Sequence, residues 1–512
     1  MHAHDDQMQW YGSFIMSKSS SKPYFSKSKL ISAHLCAKKA YLEKYHKDRA
    51  ETSSDTEAAF KIGNDVGDIA KELYGTPAAV EIEYRFPMSE MIQETTALIA
   101  QGFRGPIFEA TFQHEGILIR ADVLLPDGDG WRAIEVKAST RVKDEHQIDC
   151  AIQLWVMRGV GLQVNSIALA HINNEFVYQG DGDYSGLLVE EDITELATAM
   201  KPDVLALIKK ATKAVSGDMP EVPVGLYCED PYACAFAGVC WPRDTDYPIR
   251  NIGGSRPRIF EWVSRGFCDV RDVPAEEITA ARQQRIYRVT CAGEPEILPG
   301  AKEELEALEY PRYHLDFETA NPGIPIFEGS RPYQTHAVQW SIHMDDGKGD
   351  GSLASMQHYE FLDLSGDPPM RPLAEKMIEC LGDSGPVFMY TSYEKGVINE
   401  LIRLFPDLEP QLQAIIERLY DLAKVVERYY YHPDMMGSFS IKKVVPAMVP
   451  SMNYADLEGI NEGNGAAMGF VEAVHPDTTP ERKAELEKQL LRYCRFDTEA
   501  MVEITRYLCT GE

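Results

Sequence analysis

Positive charge is scarce in this 512-residue chain. Its 51 lysines and arginines face 80 aspartates and glutamates, for a net charge of −29. That balance excludes a protein that simply coats nucleic acid through a broad basic surface. It does not exclude an enzyme acting on nucleic acid, because such enzymes gather carboxylates around divalent cations. No apolar run approaches the length of a membrane span. The opening residues, MHAHDDQMQWYGSFIMSKSSSK, lack the charged-then-apolar order of a secretory signal. A cytoplasmic protein with a disordered tail over 1–22 is the expectation. There is no internal repeat and no extended low-complexity segment. None of the ten cysteines forms a C-x-x-C pair. In a cytoplasmic chain they suggest metal ligands or buried thiols rather than disulfides.

What is present is an ordinary globular composition, 44% hydrophobic and 26% charged, on a chain long enough for two or three cores. The segment SKSSSKPYFSKSKLISAHLCAKKAYLEKYHK is locally basic. Helical patterns in KSKLISAHLCAKKAYLEKY and AFKIGNDVGDIAKELYG precede three alternating stretches, FEATFQHEG, ILIRADVLLPDG and GWRAIEVKAS, which turn like a β-meander. A helix, HQIDCAIQLWVMRGVG, and a strand, VNSIALAHIN, follow. Strand signal resumes in YHLDFET, HAVQWSIHMDD and MQHYEFLDL, and the remainder is mainly helical. The expected architecture is α/β, with domains over 23–249 and 310–512 joined by a polar helical connector over 250–309.

Chemistry-bearing residues concentrate in two places. In the C-terminal domain, Asp316 and Glu318 lie at i and i+2 of a strand and share a face. Two like charges side by side call for something positive. FMYTSYEKGVINEL puts Tyr393–Glu394 at the head of a helix, and LYDLAKVVERYY starts another with Asp421. LLRYCRFDTEAMVEI places Tyr493 and Asp497 four apart on one helix face. Singly, each reads as a solvated acid or a half-buried ring. In this order and spacing, over about 310–508, they resemble the DEDD exonucleases. These are RNase H-like 3′–5′ exonucleases of the DnaQ superfamily, and the Tyr-x-x-x-Asp ending marks the tyrosine subclass.

The resemblance implies that Asp316, Glu318, Glu394 and Asp497 hold two Mg²⁺ or Mn²⁺ ions about 4 Å apart, since hard cations want carboxylate oxygen. Asp316 would bridge both ions and Tyr493 would place the attacking water. The family usually has Asp where Glu394 stands, so Asp421 is either its structural aspartate or the missing acid. The loop NPGIPIFEGSRPYQ is expected over the site, at the substrate's end. Lys442 and Lys443 either touch phosphate or form a solvated helix face, and solvation is the expectation.

In the N-terminal domain, Asp122 precedes Glu135–Val136–Lys137 on the next strand. This D…ExK pattern resembles the PD-(D/E)XK nucleases. Gln153 on the following helix, with Asp149 one turn earlier, points to their RecB-type subgroup. The resemblance implies that Asp122, Glu135 and the Val136 carbonyl hold Mg²⁺ while Lys137 polarises the attacking water. Gly67 stands where that group often has a histidine, and Glu109 could supply a replacement ligand. Cys36 far upstream, with Cys228, Cys234 and Cys240 after the core, resembles the staple of iron–sulfur RecB-type nucleases. Four thiolates suit a [4Fe–4S] cluster or structural Zn²⁺, and the lack of a C-x-x-C knuckle favours iron–sulfur. Cys150, Cys268, Cys291, Cys380, Cys494 and Cys509 show no grouping and read as core or surface thiols.

The whole chain after the tail thus resembles an uncharacterised bacterial family that fuses a restriction-endonuclease-like, RecB-type nuclease to an RNase H-like exonuclease. The implied activity is metal-dependent hydrolysis of DNA or RNA with accessible ends, with a role in repair, turnover or defence. Two other classes stay open: a nucleic-acid-binding protein with one or both centres inactive, and a redox-sensing iron–sulfur protein.

Overall fold

The computed structural model describes residues 25–51, 54–230, 233–241 and 245–511; the tail expected over 1–22 lies outside them. The architecture is mixed α/β and divides into two units. The first comprises Met1–Pro223, Tyr227–Cys240 and Gly323–Tyr333; the second comprises Val224–Leu226, Trp241–Pro322 and Gln334–Glu512. Among the described residues no helix is long and apolar enough to cross a membrane.

The first unit is built on strands β1 (Phe25–Ser26), β2 (Val80–Glu81), β3 (Ile107–His114), β4 (Ile117–Asp127), β5 (Gly130–Lys137), β6 (Val164–Ile172) and β7 (Leu188–Asp192). Its helices are α1 (Lys27–Leu35), α2 (Ala37–Tyr45), α3 (Ser54–Tyr74), α4 (Met88–Ala100), α5 (Asp144–Gly159), α6 (Thr194–Ala199), α7 (Lys201–Val215) and α8 (Ala237–Cys240). The strands form one sheet in the order β2-β3-β4-β5-β6-β7, with β1 paired to β4. Two-residue connections force β3, β4 and β5 into an antiparallel meander. At the first of these, Glu115 and Gly116 both take positive φ (45° and 80°), as a tight hairpin requires. Strands β5 and β6 are parallel, and the crossover between them is α5.

Alternation along β5 sends Trp131 and Ala133 into one core and Ile134 and Val136 into another. Glu135 and Lys137 therefore share the first face. Glu109 breaks the alternation of β3 with φ 58°. Ile107 before it and Ala110 and Phe112 after it consequently reach the same core, as a β-bulge does.

The second unit contains β8 (Glu296–Ile297), β9 (Arg312–Ala320), β10 (His336–Asp345), β11 (Gln357–Leu362), β12 (Val387–Met389), β13 (Leu419–Asp421) and β14 (Tyr430–Tyr431). Its early helices are α9 (Arg256–Ser264), α10 (Ala281–Ala292) and α11 (Ala301–Glu306). Next come α12 (Met370–Leu381), α13 (Tyr393–Leu404), α14 (Glu409–Glu417) and α15 (Leu422–Tyr429), and last α16 (Ile441–Met448), α17 (Gly463–Val474) and α18 (Pro480–Thr510). The main sheet runs β11-β10-β9-β12-β13. Strands β11, β10 and β9 are antiparallel, and β12 and β13 add in parallel beyond β9. Helix α18 crosses one face of β9 and β10 through polar contacts spaced about two turns apart. Leu490 O accepts from Gln339 Nε2 (3.0 Å), Thr498 Oγ1 bonds Ser341 and His343 (2.8 Å each), and Thr505 bonds His314 (3.4 Å). On the opposite face Trp340 Nε1 donates to Leu373 O of α12 (3.1 Å).

Two expectations change. The 250–309 stretch belongs to the second unit rather than standing between domains. Its helices bury Ile259, Trp262, Ile286 and Val289, and β8 pairs with β14. The loop expected over the C-terminal site instead belongs to the first unit from Gly323 to Tyr333. There Ile324 and Tyr333 pack against the Val66, Ile172 and Phe176 core, and Tyr178 N donates to Ser330 O (3.0 Å).

Gly437 (φ 78°) leads into α16, and a Cβ there would lie 1.5 Å from Asn251 O. Gly437→Ala should cost about 1–3 kcal/mol through a backbone clash in a left-handed conformation. This is read as a lower urea midpoint with an unchanged slope.

Candidate metal centres

In the second unit, β9 is the central strand. It presents Asp316 and Glu318 on the α18 face, opposite Ser341 and Gln339 of β10. The parallel neighbour β12 ends beside them, and the turn after it delivers Glu394 in the first turn of α13. That turn holds Thr391 at φ 85°, a strained conformation for a β-branched residue. Helix α18 supplies Tyr493, Cys494 and Asp497. Ligand atoms of Asp316, Glu318 and Cys494 all lie within 4.8 Å of one another.

These acids have little to neutralise them. Glu318, Glu394 and Asp497 are buried and Asp316 is half-buried. Burial, then Asp497, Glu318 and Glu394, holds the Asp316 carboxyl well above its ordinary range. Burial and Asp497 do the same to Glu318, against the pull of Lys442. Burial, with Asp421 and Asp497 adding to it, pushes Glu394 up to about 8, and its Oε2 has no hydrogen-bond partner. Burial raises Asp497 to about 6, while Tyr454 and Lys442 oppose the rise. Converging carboxylates of this kind are what a hard divalent cation stabilises.

Of the four acids expected here, Asp316 and Glu318 stand within ligand range of each other, Glu394 and Asp497 act on both as nearby charges, and Tyr493 feels Asp497, Glu318 and Asp316. Burial, then Asp497, Glu318 and Asp316, holds the Tyr493 hydroxyl protonated. Asp421 instead caps α15, accepting from Lys424 N (3.3 Å), so Glu394 stands nearer the role of fourth acid. Lys442 is not on a solvated face. It is half-buried, its Nζ lies 5.3 Å from the ring centroids of both Tyr454 and Tyr493, and it donates to Asn461 O (3.1 Å). Aromatic faces and acids hold the ammonium there, whereas Lys443 is exposed.

Two residues were missed. Cys494, expected to be an ungrouped thiol, lies 3.8 Å from both the backbone oxygen and Oδ2 of Asp316. Tyr454 donates to Asp497 Oδ1. The position of Cys494, within the Tyr493–Asp497 turn, was the available signal; nothing near Tyr454 marked it.

In the first unit Asp122 of β4, Glu135 and Lys137 of β5, and Asp149 and Gln153 of α5 converge. Val136 N donates to Asp122 Oδ2 (2.7 Å), Gln153 to Glu135 Oε2, and Lys137 Nζ to Glu135 and to Asp149 Oδ2 (2.7 Å). Lys27 of α1, unmarked in the sequence, joins them. Burial raises the Asp122 carboxyl, opposed by Lys27 and Lys137. At Glu135 burial and Asp122 push upward, but Lys137 and Lys27 prevail and lower it. Glu109 pairs with Arg120 (3.1 Å) and acts on Asp122 only as a nearby charge. A Cβ on Gly67 would meet open space.

Cys36, Cys228, Cys234 and Cys240 line one cavity with Lys38 and Tyr227. Cys36 adopts an extended conformation (φ −153°, ψ 122°) that separates α1 from α2. Burial raises the Cys240 thiol, with Cys234 and Cys36 adding to it. Among the described residues only Asp316, Glu318 and Cys494 bring three such donor atoms within 4.8 Å, so no three of these four sulfurs do. Thiolates around one zinc at ~2.3 Å would stand roughly 3.8 Å apart. The cysteines are set wider than that.

Comparison with known proteins adds family likeness without a function. Residues 313–440 match a family described as a domain of unknown function, DUF2779; the match takes in Asp316, Glu318 and Glu394 and stops before α18. "Uncharacterized protein UU173" of Ureaplasma parvum serovar 3 (strain ATCC 700970) is 21% identical over 249 residues, 44% of this chain and 35% of its own. This chain thus spans about a third of that relative's length. A solved structure described as "Crystal structure of SSO0001" aligns over 46% of this chain and 93% of its own, at 14% identity and a TM-score of 0.25. A score of that size establishes no common fold.

With no metal bound, the folded chain keeps protons on Glu394 and Asp497 that unfolded carboxylates lose near pH 4. The stability these groups contribute therefore falls as pH rises from about 4, levelling near 6 for Asp497 and 8 for Glu394. In EDTA, Glu394→Gln should flatten that fall and melt higher than the unsubstituted protein at pH 8. Thermal melts across the pH range check this.

Proposed function

We propose that the protein is a cytoplasmic, metal-dependent nuclease that trims DNA or RNA strands from a 3′ end at its second unit and carries a RecB-type centre in its first. The observation that carries this reading is the convergence of Asp316, Glu318, Glu394 and Asp497 from β9, α13 and α18, with Tyr493 one helical turn from Asp497. The sheet order β11-β10-β9-β12-β13, with three antiparallel strands and two parallel, supports an RNase H-like fold. The β3–β4–β5 meander followed by α5 and parallel β6 supports a restriction-endonuclease-like fold in the first unit.

When bound, paired Mg²⁺ or Mn²⁺ ions stabilise charge on the attacking and leaving oxygens of an in-line displacement. Asp316, Glu318, Glu394 and Asp497 would hold the ions. Tyr493, its hydroxyl protonated, is the group to orient the attacking water. Tyr454 and Lys442 restrain Asp497 and the Tyr493 ring. At the first centre Asp122, Glu135 and the Val136 carbonyl would hold an ion beside Lys137. The four cysteines lining one cavity support a [4Fe–4S] cluster that would tie Cys36 to the Cys228–Cys240 segment.

End-labelled DNA and RNA incubated with Mg²⁺ or Mn²⁺ should be shortened from the 3′ end. Asp316→Asn should lower the rate about a thousandfold, some 4 kcal/mol of barrier, and Tyr493→Phe by less. A protein that binds the strands yet leaves them intact with either metal would refute the enzyme reading. Anaerobically purified protein should be brown. Cys234→Ser should bleach it and lower the melting point of the first unit while sparing trimming by the second; an iron-free, zinc-containing preparation would contradict the cluster assignment.

A further inference from the structure

The first centre contains an ammonium group that the D…ExK pattern does not call for. Lys27 opens α1, and its Nζ stands 2.8 Å from Glu135 Oε1 and 3.0 Å from Asp149 Oδ1, with the side chain 19% exposed. Lys137 bonds the same Glu135 oxygen and lies 2.7 Å from Asp149 Oδ2. Gln153 takes Glu135 Oε2, and Val136 N takes Asp122 Oδ2. Both oxygens of Glu135 thus already meet donors, and Asp149 pairs with both lysines although its Oδ1 accepts no hydrogen bond. Three carboxylates against two ammonium groups leave a single net negative charge. The second centre differs in kind, since its four carboxylates have one lysine among them.

We propose that Lys27 is an internal counterion of the first centre. It occupies the oxygens of Glu135 and Asp149 that a divalent cation would use, so Lys27 and the metal compete for them. A hard cation needs those oxygens free and repels an ammonium group at such range. Metal enters only as the Lys27 side chain swings out from its partly exposed position at the start of α1. The two centres of one chain therefore load unequally: the second at low metal concentration, the first at higher. Lys27 is a positioning residue here, distinct from Lys137, which stays beside the bound ion. The inference rests on the nuclease reading of the first centre.

The test is Mn²⁺ binding to the full-length chain, followed by the electron paramagnetic resonance of free Mn²⁺, with Asp316→Asn and Asp497→Asn present throughout to remove the second centre. Lys27→Met should tighten binding at the first centre by about tenfold or more, the scale on which one neighbouring charge shifts an ionic equilibrium. Lys27→Arg should leave binding as weak as with Lys27, and adding Glu135→Gln to Lys27→Met should abolish the gain. Lys27→Gln, which keeps a donor to both acids, covers the case in which Lys27→Met fails to fold. It should raise both the affinity and the Mn²⁺-induced rise in melting temperature. Equal, measurable Mn²⁺ affinity with Lys, Met, Gln and Arg at position 27 would overturn the role of Lys27 and leave the nuclease reading standing. Absence of Mn²⁺ binding in every variant would overturn both.

Discussion

Repulsion among buried carboxylates is the constraint on which the second unit turns. Asp497, Glu318 and Glu394 each raise the proton affinity of Asp316, and burial raises that of all four acids. A fold optimised for stability alone would not assemble them, since each charge lost from water costs free energy unless paired. Two devices hold them in place. The polar contacts of α18 with β9 and β10, through Leu490, Thr498 and Thr505, fix the helix against the sheet. Lys442, held between two tyrosine rings, supplies the local positive charge. The backbone strain at Thr391 belongs with these, because it turns the chain from β12 so that Glu394 faces inward.

The first unit resolves a similar problem differently. Its acids come from adjacent strands and one crossover helix, and two lysines with a glutamine already answer them. One centre is therefore closer to electrostatic balance than the other. The contrast separates a site in which two lysines answer three acids from one in which a single lysine answers four.

Much of this was legible along the chain. Alternation in GWRAIEVKAS put Glu135 and Lys137 on one face, and the four-residue spacing of Tyr493 and Asp497 put both on one side of α18. The signals that failed were those without periodicity. Lys27 lies in a basic stretch that reads as a solvated face, yet β1 pairs with β4 and draws the start of α1 to the Glu135 cluster. Cys494 looked ungrouped because its partners stand more than 170 residues away. Lys442 read as solvated because nothing local indicates that two aromatic rings and two acids await it. The 323–333 loop, apolar at Ile324 and Phe327, follows its burial and not its place in the chain.

The sequence by itself determined the elements and the acids on each, because these depend on residue type and on periods of two and 3.6. Only the tertiary structure decided which charges meet. Whether a carboxylate is left unneutralised or is answered by a lysine depends on distances of a few ångströms between segments far apart in the chain, and local pattern carries no information at that separation.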